Sequence, residues 1–395
     1  MNLETPGLDS LDLEGKRVLM RVDFNVPRDG DGAITDDTRI RAAVPTIKEV
    51  IEKGGRPILM CHLGRPKGTV HEDLRVDAIG VRLGELLGSK VIKLNESIGE
   101  AVQAAIGAQA SGECLLLENV RFHAGETRGD EDLSKAFAGL ADVFVNDAFG
   151  ASHRDHCSVS GVARLLPSVA GRLLQREIEA FSRVLTNPER PVVAILGGAK
   201  VSDKLPVIEN LIEKVQAIIV GGGMAYTFLK AAGHTVGTSL VQDDQLESVA
   251  QSAAKAKERG VDLLLPVDHV ISESFGPDGP TQECGVDIPD GWMALDVGPQ
   301  TRALFTAAIG SARTVVWNGP MGVFEMAPFA AGTRDVGEAV AACTGYTVVG
   351  GGDSVAAAGQ FGLTDRIDHI STGGGASLEL LEGKNLPGIA CLGVQ

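Results

Sequence analysis

Short apolar runs rich in β-branched residues recur along the chain, and stretches with helix-like spacing separate them. In the first half they read RVLMRVDF, RPILMCHL, CLLLENVRF and DVFVNDAF. In the second half they read PVVAILGG, AIIVGGG, DLLLPVDHV, TVVWNGPMG and TVVGGGD. These runs are continuous rather than alternating, the pattern of strands covered on both faces. Between them lie segments such as 243–259, DDQLESVAQSAAKAKER, which opens on carboxylates suited to cap a helix. Strand–helix alternation of this kind predicts an α/β protein with parallel sheets and helices on both faces.

The segment 171–187, GRLLQREIEAFSRVLTN, carries Leu174, Ile178, Phe181 and Leu185 on one stripe of an amphipathic helix, and Asn187-Pro188 stops it. A chain of 395 residues exceeds one ordinary core, so two domains are expected. The helix is read as a rigid connector between a first lobe at 1–170 and a second lobe starting at 188.

Polar residues gather where these strands end, and ligands of open parallel sheets bind beyond the carboxyl ends of strands. Arg21, Asp23 and Asn25 close the first run, and His62 and Arg65 the second. Arg121 and His123 follow the third. Asn146 and Asp147 end the fourth, with His153 and Arg154 just after. Arg39 and Arg41 follow an Asp-rich loop. Arginines on one rim would clamp carboxylate and phosphate bidentately. Any one alone is more often a surface ion pair; likewise His62 alone is more often a satisfied structural histidine and Asp23 a turn residue. The formal net charge of −16 changes that weighing: such a chain repels nucleic acid and anionic membranes, and must cluster its cations locally to hold an anion. Most of that charge serves solubility.

The second half has four glycine clusters at strand ends: Gly197-Gly198, Gly221-Gly222-Gly223, Gly350-Gly351-Gly352 and Gly373-Gly374-Gly375. Glycine lets backbone amides approach phosphate oxygens, and three of the clusters lead into helix-like sequence, which adds the positive end of a helix dipole. One cluster alone is more often a plain turn; four together favour an anion and nucleotide site. Lys200 and Lys204 follow the first cluster at a spacing of one helical turn. Asp353 follows the third and suits a Mg²⁺ ion, which takes a few hard oxygens plus phosphate; its plainer role, capping the next helix, is compatible with ligation. Glu325, at the end of NGPMGVFE, could accept from ribose hydroxyls.

No G-x-x-x-x-G-K-[ST] occurs, which excludes a P-loop, and no G-x-G-x-x-G with a following acidic residue supports a dinucleotide-binding oxidoreductase. A binding protein that has kept a nucleotide fold is the other alternative. The six cysteines are scattered without a C-x-x-C pair, and the N-terminus carries acidic residues where a signal peptide would be basic; the reading is a reduced, soluble, cytoplasmic protein.

Taken together, the segments resemble the phosphoglycerate kinase family. They are KRVLMRVDFNVP, HLGRP, LLENVRF, NDAFGASHR, ILGGAKVSDK, GGGMAYTFL, IPDGWMALDVGP, WNGPMGVFE, VVGGGDS and STGGGASLELLEGK, in family order almost end to end. The resemblance implies two Rossmann-like lobes joined by a helix and hinge, with a tail from about 381 to 395 returning to the first lobe. It implies that Asp23, Asn25, Arg39, His62, Arg65, Arg121 and Arg154 contact 3-phosphoglycerate or 1,3-bisphosphoglycerate. Lys200, Lys204, Gly298, Asn318, Glu325, Gly351, Gly352, Asp353 and Ser354 would contact ADP or ATP in the 188–380 lobe, with Asp353 facing Mg²⁺. Arg39, Lys200 and the amides around Gly352 and Gly374 would stabilise the phosphoryl group in flight, after hinge closure, in a protein expected to be a monomer. Cys61, Ala294 and Ala331 depart from the family pattern without replacing any of these groups.

Overall fold

In the computed structural model, which describes residues 5–393, the apolar runs form the centre of two six-stranded parallel sheets. The first contains β1 (Arg17–Val22), β2 (Arg56–Met60), β3 (Val91–Lys93), β4 (Cys114–Leu116), β5 (Val143–Asp147) and β6 (Ser168–Ala170), in the order β3-β4-β2-β1-β5-β6. Successive residues of a strand point to opposite faces, and here both faces are covered. Val18, Met20 and Val22 pack into one core with Ile40, Ala43, Ile47 and Val50 of the helix Thr38–Glu52, while Leu19 joins Phe144, Val102, Ile106 and Phe137 in another. Each fully buried aliphatic side chain of this kind contributes about 1.5–3 kcal/mol. The chain builds β2 to β4 on one side of β1 and returns to its other side for β5 and β6. The carboxyl ends of β1 and β5 therefore flank the point where strand order reverses, the natural ligand crevice of such a sheet.

The second sheet has the same logic. It contains β7 (Val192–Leu196), β8 (Ala217–Val220) and β9 (Asp262–Leu264). An antiparallel ribbon follows, built from β10 (Asp268–Ser272), β11 (Thr281–Gly285) and β12 (Met293–Val297) in the order β11-β10-β12. The chain then re-enters the sheet with β13 (Thr314–Asn318), β14 (Tyr346–Val349) and β15 (His369–Ile370). The order β15-β14-β13-β7-β8-β9 puts the reversal between β7 and β13.

Three local expectations change. DLLLPVDHV is two strands, not one, because Pro266 has no N–H to donate and separates β9 from β10. Asp243 and Asp244 lie in a 3₁₀ turn, Asp243–Gln245, ahead of the helix Leu246–Glu258. Lys200 and Lys204 bracket a 3₁₀ turn, Val201–Asp203, and Lys204 then precedes the helix Leu205–Leu211, so the two lysines do not share a helix face.

The chain forms two compact units. One runs through Glu179 and regains the segment from Asn385; the other spans Ala180–Lys384. The division falls inside the helix Arg172–Leu185, with Leu174, Ile178 and Phe181 buried. The final segment is anchored within the first unit: Asn146 Nδ2 donates to the Gly388 carbonyl at 2.8 Å, and Ser168 and Gly393 exchange two backbone bonds of 3.0 Å. Residues 1–4 and 394–395, the outer ends of the expected first lobe and tail and the start of the N-terminal segment, lie outside the described residues. Among the described residues no helix is long and apolar enough to cross a membrane.

Candidate functional site

In the first unit, the polar residues after β1 and β2 are tied together. The Asp23 carboxylate accepts from Arg39 Nη1 at 2.7 Å, and Asn25 Oδ1 accepts from the Gly64 amide at 2.9 Å. His62 is buried, and its Nδ1 lies 2.9 Å from Arg21 Nη2. A guanidinium only donates, so Nδ1 must accept and the ring proton sits on Nε2. Burial first, and then the charges of Arg21, Arg121, Arg154 and Arg39, hold His62 well below its ordinary pKa. It is a neutral donor in a cationic neighbourhood.

Arg121, from the 3₁₀ turn Val120–Phe122, donates to the Gly64 carbonyl at 2.8 Å. Burial, then Arg154 and Arg21, lower its pKa to about 10, and Arg65 adds to the same repulsion. Its Nε is buried without a hydrogen-bond partner among the described residues. Like charges drawn together around an orphaned donor are costly in isolation and suit an anion. The structure thus brings Arg39, His62, Arg65, Arg121 and Arg154 into one electrostatic neighbourhood, with Asp23 and Asn25 at its edge. His123 faces elsewhere, bonded to Ser97 at 2.7 Å and edge-on to Phe137. Arg41 forms a surface pair with Asp37 at 2.7 Å. Asp147 serves the fold: its buried carboxylate accepts from the amides of Leu173 and Leu174 at the start of the helix Arg172–Leu185.

In the second unit, the loops after β7 and β13 touch backbone to backbone. A Cβ on Gly197 would lie 2.0 Å from the Pro320 carbonyl oxygen, and one on Gly319, at φ +111°, would lie 2.1 Å from the Gly197 oxygen. Only glycine permits this approach. Beside it opens a pocket of about 520 Å³ lined by Gly197, Gly198, Lys200, Lys204, Asn318, Gly351, Gly352, Asp353, Ser354 and Gly374, among others. Asn318 Nδ2 donates to the Gly350 carbonyl at 3.0 Å, its Oδ1 accepts from Lys204 Nζ, and Ser354 Oγ accepts from the Gly319 amide at 2.5 Å. Burial pushes the Lys204 ammonium down to about 8. The helix Gly352–Gln360 starts at this pocket, presenting its positive end.

A second pocket of about 470 Å³ shares Gly198, Ala199 and Asp353 with the first. Its walls are Tyr226, Leu240, Phe275, Met293, Leu295 and Val323, with Glu325 among its polar residues. A glycine- and lysine-lined pocket that continues into an apolar one fits a phosphate chain joined to a flat ring. Asp353 is exposed and borders both. Among the described residues no group of three His, Cys, Asp or Glu could hold a metal unaided. One carboxylate beside a glycine- and lysine-lined pocket matches the way Mg²⁺ binds, through few protein oxygens and the phosphates of a substrate.

Gly298 is absent from the residues lining either pocket. It packs against Asp268, whose carboxylate accepts from the Gln300 and Thr301 amides at 2.8 and 2.7 Å and caps the helix Pro299–Gly310. Sequence reasoning missed the apolar walls, since Leu295 or Met293 at a strand reads as core. It also missed Glu126 and Ser158, buried in the first unit beside Arg21.

The phosphoglycerate kinase family pattern matches residues 8–384. The phosphoglycerate kinase of Coxiella burnetii is 41% identical, with 98% of each chain covered and a TM-score of 0.90. That of Pyrococcus horikoshii is 33% identical, with 98% of each chain covered and a TM-score of 0.83. The match spans both sheets and both groups of polar strand ends, and on it the chain belongs to the phosphoglycerate kinase family, the glycolytic kinases that transfer a phosphoryl group between 1,3-bisphosphoglycerate and ADP.

Proposed function

We propose that the arginine cluster of the first unit holds the glycerate substrate and the paired pockets of the second hold the nucleotide, and that closure of the units brings the two together for direct in-line transfer. The observation that carries this reading is the pair of adjoining pockets, one polar and glycine-lined, one apolar, with Asp353 at their junction.

The chemistry asks for little acid or base catalysis. The bond from phosphorus to the acyl oxygen breaks and leaves a carboxylate, which needs no proton. The bond to a β-phosphate oxygen of ADP forms from an oxygen already ionised near neutral pH. What remains is alignment and neutralisation of charge. Asp23, Asn25, His62, Arg65, Arg121 and Arg154 position the glycerate. Lys204, Asn318, Glu325 and Ser354 position the nucleotide, with Gly298 acting indirectly by seating the Asp268 cap. Arg39, Lys200 and the amides at Gly352 and Gly374 face the moving phosphoryl group. Asp353 would hold Mg²⁺, which when bound supplies charge neutralisation at the nucleotide phosphates. Closure would also exclude water, the competing acceptor of an acyl phosphate. The reading extends to a cytoplasmic monomer.

A coupled assay of ATP consumption tests it. ATP should be consumed only when 3-phosphoglycerate and Mg²⁺ are both present. No consumption with ATP, 3-phosphoglycerate and Mg²⁺ all present would reduce the chain to a binding protein on a kinase fold.

A further inference from the structure

Behind His62 runs a buried chain of hydrogen bonds that the proposed chemistry does not use. Arg21 is 1% exposed and Glu126 0% exposed. Between them stands Ser158: Arg21 Nε donates to Ser158 Oγ at 2.9 Å, and Ser158 Oγ donates to Glu126 Oε1 at 2.6 Å. The Ser158 amide also donates to Glu126 Oε2 at 3.1 Å. The Arg21 guanidinium and the Ser158 amide can only donate. Burial raises the Glu126 pKa, while the Ser158 hydrogen bonds and the Arg21 charge oppose that rise, and the ionised carboxylate can only accept. The only proton of the hydroxyl therefore goes to Glu126, and its lone pair is left for Arg21.

A fully buried arginine beside Arg121 and Arg154 needs a counter-charge, since burying an unpaired ion is costly. Glu126 supplies it through one hydroxyl. The nearby His156 does not compete: burial and the arginines lower its pKa to about 4, so it is neutral at 3.9 Å from Glu126. Ser158 sits in a π-helical turn, Cys157–Gly161, a distortion found disproportionately at functional sites. The turn lets both its amide and its hydroxyl reach the same carboxylate.

We infer that Glu126 and Ser158 are positioning residues: by fixing the Arg21 guanidinium they hold His62 in the tautomer whose Nε2–H donates to an anionic oxygen of the bound glycerate. The inference rests on reading the arginine cluster as the glycerate site. A chain that served stability alone would leave the tautomer of His62 indifferent to its loss.

Nitrogen NMR of His62 in the full chain decides the matter. Wild-type protein at neutral pH should show an unprotonated Nδ1 and a protonated Nε2, and 3-phosphoglycerate should shift the Nε2 signal. Ser158→Ala and Glu126→Gln should each populate the Nδ1–H form and raise KM for 3-phosphoglycerate about tenfold, the size of one hydrogen bond to a charged group, with KM for ATP unchanged. Ser158→Thr, which keeps the hydroxyl, should restore both. A wild-type tautomer retained in folded Ser158→Ala and Glu126→Gln, or an Nδ1–H form in the wild type itself, overturns the inference. A wild-type Nε2 signal indifferent to 3-phosphoglycerate overturns instead the placement of the glycerate.

Discussion

A polar residue at the end of a buried strand has two fates, and the residues here divide between them. Asp147 ends β5 and is spent on capping a helix, whereas Asp23, after β1, pairs with Arg39 at the edge of the cationic cluster. Composition and spacing do not separate these cases, because the difference lies in which amide lies opposite after folding. Lys204 carries the sharpest residue-scale consequence. Its ammonium is lowered from 10.5 to about 8 by burial. Phosphates arriving in the same pocket favour the charged form and raise it again. Binding of ADP near pH 8 should therefore take up protons, and affinity should fall as pH rises past about 8, where the free protein must first be protonated. Calorimetry in buffers of different ionisation enthalpy reads the uptake directly. Lys204→Met should abolish it, and a wild type that binds ADP with no proton uptake would remove Lys204 from the phosphate site. The four glycine clusters were legible as places of close backbone approach, and each borders one of the two pockets, but the apolar pocket itself was not legible, since its walls carry the same residue types as the core.

At the scale of elements, the continuous apolar runs announced the parallel sheets because strands buried on both faces need no alternation. The antiparallel ribbon was only half visible. β11, TQECG, is largely exposed and has neither run nor alternation, so nothing in its pattern distinguishes it from a loop. The crossing of the loops after β7 and β13 was likewise hidden, since a glycine pair does not say what it touches. That crossing makes a prediction. In Gly197→Ala the new methyl meets a carbonyl oxygen rather than a flexible side chain, so the backbone must move. Overpacking of this kind costs about 1–3 kcal/mol. Urea unfolding should show a loss of that size, accompanied by weakened ADP binding, because the displaced loop lines the pocket. Wild-type stability with wild-type affinity would mean that the close approach has no role in shaping the site.

For the whole molecule, the two units divide the chemistry, and neither holds both halves of the proposed reaction. The arginine cluster lies in the first, and the glycine pockets lie in the second. In the proposed reading, closure of the units unites the two halves. Small-angle scattering should find the radius of gyration reduced when both ligands are present and little changed with either alone; an unchanged radius in the ternary complex would contradict closure. The helix Arg172–Leu185 showed itself in the sequence through its single apolar stripe, whereas the division of the chain between Glu179 and Ala180 is a matter of tertiary contacts that no local pattern encodes. In the proposed mechanism, catalysis is alignment and neutralisation of charge by Lys200 and Arg39. Single-turnover kinetics on Lys200→Ala and Arg39→Ala, with equilibrium binding measured on the same proteins, tests it most directly. Each variant should lose roughly 10²–10³ in the transfer rate, the usual effect of deleting one transition-state donor, with ground-state affinities changed only a few-fold. Affinity lost in proportion while the transfer rate stays intact would contradict it.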